Sequence, residues 1–116
     1  MRVVLIGGNS KGYDRPFHPD TLSGQRIRAI LKRNHLPFEL ENMTKNRSDK
    51  PSFEEKANLH MRYKDYKVVF LGRFVERELQ SLFPEGEYLP HPASRRKQDL
   101  KRLEDGLVHL NGGQTE

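Results

Sequence analysis

The sequence predicts an α/β protein: a three-layer α/β/α sandwich around a mostly parallel sheet of about four strands. Three observations carry that expectation. Two dense apolar runs, Val3 to Ile6 and Val68 to Leu71, read as strands buried on both faces, and each stops at glycine. Apolar residues at helical spacing, preceded by capping residues, follow each strand candidate. Strand, glycine turn and helix therefore recur in order, and successive units of that kind are joined by right-handed crossovers into a parallel sheet.

Taken in order, Arg2 to Ile6 is the first strand, breaking at Gly7-Gly8 into a tight turn. Thr21 or Ser23 caps a helix over Leu22 to Asn34, with Ile27, Ile30 and Leu31 on one face. Phe38 to Met43 alternates as a short strand with one buried face near a sheet edge. The polar stretch Thr44 to Ser52 reads as a mobile loop. Ser52 with Glu55 three residues on is a capping box for a helix over Phe53 to Tyr66. Lys67 to Leu71 is a core strand, and Phe74 to Phe83 resumes helical spacing through Phe74, Leu79 and Leu82. Glu87 to Leu89 is the last strand, and Ser94 caps a closing helix over about Arg95 to Leu107.

A chain of 116 residues fits one domain, here 1–110, with 111–116 expected as a disordered tail. Lys and Arg number 21 against 16 Asp and Glu; the resulting formal charge of +5 favours a polyanionic partner, and nucleic acid above an acidic protein. The absence of cysteine removes disulfides, thiolate zinc sites and iron–sulfur clusters together. His35 and His60 lack companions at ligand spacing, so neither a metal nor another cofactor is expected. No run approaches the roughly 20 apolar residues of a membrane span, and Met1-Arg2 leads straight into a strand. The expectation is a monomer in the cytoplasm or on the nucleoid, away from membranes.

In open parallel sheets the ligand crevice lies at the carboxyl ends of the strands. That rule selects the loops after Ile6, Glu41, Leu71 and Leu89. The glycines of Gly7-Gly8-Asn9-Ser10-Lys11-Gly12 let backbone approach a ligand, although the order fits neither a dinucleotide fingerprint nor a phosphate loop. Tyr13 and Phe17 bring aromatic rings toward the crevice, either as base-stacking platforms or, for Phe17, as a plug for the core. In Leu89-Pro90-His91-Pro92-Ala93-Ser94-Arg95-Arg96, two prolines stiffen a histidine that suits a fixed donor to a developing anion. The Ala93 and Ser94 amides there could grip a phosphate beside Arg95 and Arg96. A structural turn is the alternative for that segment. Arg26, Arg28, Lys32 and Arg33, like Lys97 and Arg102, read first as solvated helix faces and second as a phosphate-binding stripe.

Four segments, in this order, resemble the uracil-DNA glycosylase superfamily: the first loop with its Pro-Phe and Leu-Ser-Gly, Glu-Asn-Met-Thr, Val-Val-Phe-Leu-Gly-Arg, and Leu-Pro-His-Pro-Ala-Ser. The first loop is most similar to the mismatch-specific uracil and thymine glycosylase branch. The resemblance implies that Asn9 holds the attacking water, with Asp14 as an acidic group able to assist. It implies that Gly8, Phe17 and Asn42 bind the base, Phe17 by stacking and Asn42 by reading its edge, and that His91 donates to the carbonyl oxygen that gains charge. It further implies phosphate contacts from Ser23, Gly24, Pro92, Ala93, Ser94, Arg95 and Arg96, the last five forming the wedge that fills the vacated stack. Ser10 stands where the family has proline, and Asn9 where other branches have aspartate. The implied function is flipping and hydrolytic removal of uracil or a modified pyrimidine from DNA. A non-catalytic module that binds DNA or a modified base is the alternative, and an enzyme that alters rather than removes a base is a further one.

Overall fold

The computed structural model describes residues 2–9, 15–44 and 50–114. The elements run β1 (Val3–Asn9), α1 (Leu22–Arg33), β2 (Glu39–Thr44), α2 (Phe53–Tyr63), β3 (Lys67–Leu71), α3 (Arg73–Leu79), β4 (Glu87–Leu89) and α4 (Lys97–Gln114). All three strand pairings are parallel, in the order β2-β1-β3-β4. The α/β sandwich with a four-stranded sheet is therefore the architecture of this chain.

Each face of the sheet has its own apolar cluster. Leu5, Val69, Leu71 and Leu89 pack with Ile27 and Ile30 of α1 and Leu103 and Leu107 of α4. On the other face, Val4, Ile6, Val68 and Phe70 pack with Leu59 and Tyr63 of α2 and Val75 and Leu79 of α3. Val4, Leu5 and Ile6 are fully buried, because a central parallel strand is covered on both sides, and each such side chain contributes about 1.5–3 kcal/mol.

Several boundaries differ from those the sequence predicts, each for a local reason. β1 does not break at Gly7-Gly8 but pairs onward, with Gly7 opposite Asn42 and Asn9 opposite Thr44. Edge strand β2 is not half-buried: Glu41 to Thr44 are all buried, since α2 covers one side and the loop around Phe17 the other. α2 ends at Tyr63, where the Tyr66 amide turns back to the Tyr63 carbonyl at 3.0 Å. In α3 the core-facing residues are Val75 and Leu79, and Phe74 is left partly exposed. α4 starts two residues later than predicted, at Lys97, and continues to Gln114, so residues 111–114 are helical; Thr115 and Glu116 lie outside the described residues. The mobile loop expected over Thr44 to Ser52 falls largely on 45–49, also outside them.

Caps bear out the starts of α1 and α2, whereas Ser94 does not cap α4, which starts three residues later at Lys97. Thr21, not Ser23, caps α1, its hydroxyl accepting from the Gly24 amide at 2.9 Å. Ser52 and Glu55 form both halves of the capping box on α2, at 3.1 and 2.9 Å.

Candidate functional site

With the order β2-β1-β3-β4, the connections leave the sheet in opposite directions from β1 and β3, and the crevice opens between their carboxyl ends. Gly7 and Gly8 floor it on β1. They do different things there. A Cβ on Gly7 would lie 2.3 Å from Cζ of Phe17, so this glycine is what lets the ring lie on the strand. Among the described residues, a Cβ on Gly8 would meet nothing within 4 Å.

Phe17 is consequently not an exposed stacking platform. It is 5% exposed, sits at a φ of 49°, and belongs to the apolar cluster under α1. Its backbone rather than its ring faces the polar part of the site. The Phe17 amide donates to Oδ1 of Asn42 at 3.2 Å, and the Phe17 carbonyl accepts from Nε of Arg28 at 2.7 Å, with Nη2 of Arg28 reaching the Pro16 carbonyl at 2.8 Å. Because a backbone N–H can only donate, Oδ1 of Asn42 is fixed as the acceptor and Nδ2 as the donor. Asn42 is 7% exposed, and among the described residues its Nδ2 has no hydrogen-bond partner. A buried donor in that state costs about 1–3 kcal/mol and asks for an acceptor.

Next to Asn42, Glu41 is a buried carboxylate that sequence reasoning passed over. Its Oε1 accepts from the Asn42 amide at 3.0 Å, and its Oε2 accepts from Nη1 of Arg62 at 3.0 Å and from the Tyr63 hydroxyl at 2.8 Å. Burial first, and then the bond to Glu41, pushes the Tyr63 phenol up to about 12. Glu41, Asn42, Leu59 and Arg62 help line a cavity of about 150 Å³ between β2 and α2.

At the other side of the crevice, His91 is held by its own turn. Nδ1 accepts from the Ala93 amide at 2.9 Å, and the His91 carbonyl accepts from the Ser94 amide at 3.0 Å. The neutral ring therefore carries its proton on Nε2. The imidazole packs across Gly72, whose φ of 107° favours glycine. β2 and β4 are the two edges of the sheet, three spacings or about 14 Å apart. His91 leans one strand inward over β3, and Asn42 is tied to the segment that packs on β1. Asn42, beside β1, and His91, beside the end of β3, thus stand on either side of the crevice.

The amides of Ala93 and Ser94 are not presented to a phosphate, because both return to His91. The Ser94 hydroxyl donates to Oδ2 of Asp99 at 2.7 Å and accepts from the Arg96 amide at 3.3 Å. Pro92 is buried, while Arg95 and Arg96 are exposed at the rim. The Gly24 amide is likewise spent, on the Thr21 hydroxyl, and an added Cβ would run into the His18 carbonyl oxygen, so Gly24 is a close-packing position. Ser23, beside it in the first turn of α1, is half-buried. Asn9 closes β1 at the crevice, but its side chain, like Asp14 and Ser10, lies outside the described residues.

Arg26 and Arg28 are not solvated bystanders. Nη1 of Arg26 donates to the Pro92 and Ser94 carbonyls at 3.1 and 2.9 Å, while Arg28 holds Pro16 and Phe17. A usable signal was their place on either side of buried Ile27, which aims them along the sheet rather than away from it. Among the described residues no group of three or more His, Asp or Glu is placed to hold a metal ion, and no helix is long and apolar enough to cross a membrane. Compared with known proteins, the chain matches no protein-family model and no curated sequence.

Proposed function

We propose that this protein binds DNA at the carboxyl edge of the sheet, flips a uracil or modified pyrimidine over Gly8, and hydrolyses its N-glycosidic bond. The observation that carries the reading is the buried Nδ2 of Asn42, oriented as a donor and without a partner among the described residues. A flipped pyrimidine supplies the missing acceptor through a ring carbonyl. His91 adds a second donor, with its proton directed to Nε2 by the Ala93 amide. As the bond from C1′ to the ring nitrogen breaks, charge gathers on the base, and a fixed donor at its carbonyl oxygen stabilises that charge without reorganising. Water adds its oxygen to C1′, and its proton is balanced by the departing base. Asn9 is the residue that the resemblance to uracil-DNA glycosylases assigns to that water. The role of Phe17 in this mechanism is to orient Asn42 through its amide, not to stack. Arg95 and Arg96, exposed at the rim of a chain with a formal charge of +5, supply backbone attraction.

Base release from labelled oligonucleotides containing uracil, a thymine mismatch, hydroxymethyluracil or glucosylated cytosine tests this. Release from at least one substrate is expected, with His91→Ala lowering the rate by about 10²-fold or more. A folded protein that releases none of the four bases sinks the reading. A second reading, a module that binds a base in DNA without cleaving it, is favoured by Asn9 at a position where other branches carry aspartate and by the Ala93 and Ser94 amides being spent within their own turn. Salt-sensitive DNA binding with no release, unchanged in His91→Ala, would select it.

A further inference from the structure

We propose that Arg26 and Arg28 are paired positioning residues through which helix α1 sets both donors of the crevice; this rests on reading the crevice as the base site. Consecutive helical residues are turned by about 100°, so positions 26 and 28 diverge to either side of Ile27, whose side chain is buried against the sheet. One guanidinium reaches each crevice loop.

Arg26 grips the Pro92 and Ser94 carbonyls at 3.1 and 2.9 Å, on either side of Ala93. The amides of Ala93 and Ser94 are the groups that hold His91, at Nδ1 and at its carbonyl. Arg26 thereby holds the peptide units that dictate the His91 tautomer. Arg28 grips the Phe17 and Pro16 carbonyls at 2.7 and 2.8 Å, and the Phe17 amide is what fixes Oδ1 of Asn42 as the acceptor and so leaves Nδ2 as the donor. Each arginine stands one peptide unit behind one donor. The chain Arg28, Phe17, Asn42 mirrors the chain Arg26, Ala93, His91. Both guanidiniums are only half-buried, yet their bonds are to backbone carbonyls of loops 11 to 68 residues away in sequence, which is how a helix fixes loops rather than how a solvated face behaves. Two loops carried by different strands would otherwise vary independently in separation, and one rigid helix between them couples the two.

Nitrogen NMR of the imidazoles, together with base-release kinetics, tests the assignment on the full chain. In the unaltered protein His91 is expected as a single Nε2–H tautomer. Arg26→Ala is expected to give mixed tautomers and to lower kcat about 10-fold with little change in KM, while Arg26→Lys, which keeps a donor to the same carbonyls, recovers part of both. Arg28→Ala is expected to leave the His91 signals unchanged and to raise KM several-fold, because it disturbs Asn42. Unchanged His91 signals in both Arg26 variants would overturn the proposal. Should Arg26→Ala fail to fold, the Arg26→Lys spectrum decides. If the unaltered protein releases no base but Arg26→Ala still mixes the tautomers, the positioning by Arg26 stands and the excision reading falls.

Discussion

At the scale of single residues, the site depends on which atoms are missing as much as on which are present. Gly7 and Gly8 are neighbours on β1, but one faces the Phe17 ring and the other meets no atom of the described residues. Gly7→Ala forces the ring off the strand and is expected to destabilise the protein by about 1–3 kcal/mol, as overpacked cores do. Gly8→Ala meets no atom of the described residues and has an unstrained backbone, so its urea midpoint should match the parent while base binding or release falls. Equal midpoints for the two variants would refute this division of labour. The packing role of Gly7 was not legible in the sequence, where Gly-Gly after an apolar run reads as a turn, whereas the resemblance had already implied a base-binding role for Gly8. The burial of Phe17 was one of the two readings the sequence left open, and the choice between them requires a glycine ten positions earlier to lie beneath the ring. His91 was legible as a stiffened histidine at a strand end, but the partner of its Nδ1 was not.

At the scale of elements, α1 joins the structure at three places besides the sheet. Its amino half holds the two crevice loops, and its last turn binds α4 through a bidentate pair, Arg33 to Glu104 at 2.7 and 2.6 Å, with Asn34 adding a third bond at 2.7 Å. The hydrogen bonds from Arg33 first, and from Asn34 second, hold the Glu104 carboxyl at about 2 against an ordinary 4.5. A depressed carboxylate stabilises the fold above its unfolded value and loses that contribution as pH falls through its folded value. Glu104→Gln should therefore be less stable than the parent at neutral pH, with the difference closing between about 4.5 and 2. Thermal melts across that range check it, and a constant gap would show that Glu104 is not held down. The helices themselves were legible through Thr21, Ser52 and Glu55, since capping is local chemistry. Their ends were less so: α2 stops at Tyr63 and α4 runs to Gln114 for reasons of turn and packing that no local pattern announces.

At the scale of the whole molecule, the formal charge of +5 is spread over a surface on which several cations are already occupied. Arg26 and Arg28 bind loop carbonyls, Arg33 and Arg62 bind carboxylates, and Arg73 pairs with Glu76 and stacks over Tyr88 at 3.6 Å. Arg95 and Arg96 at the crevice rim are exposed, and the proposed function assigns them to the DNA phosphates. DNA affinity should fall steeply with salt, and Arg95→Ala with Arg96→Ala should lower the slope of log K against log salt by about 1–2, roughly 0.9 for each duplex phosphate that is no longer neutralised. A slope unchanged by the double variant would place the DNA elsewhere. By itself, the sequence determined the parallel α/β architecture, the order of its elements and most helix starts. Those follow from the period of apolar residues and from side chains that cap the nearest amides, and both act within a few positions of the chain. Only the tertiary structure decided that Phe17 is core, that the buried Asn42 side chain has Nδ2 as its donor, and that Arg26 and Arg28 hold the crevice loops. Those outcomes depend on hydrogen bonds and close approaches between segments up to 68 residues apart, which local composition does not encode.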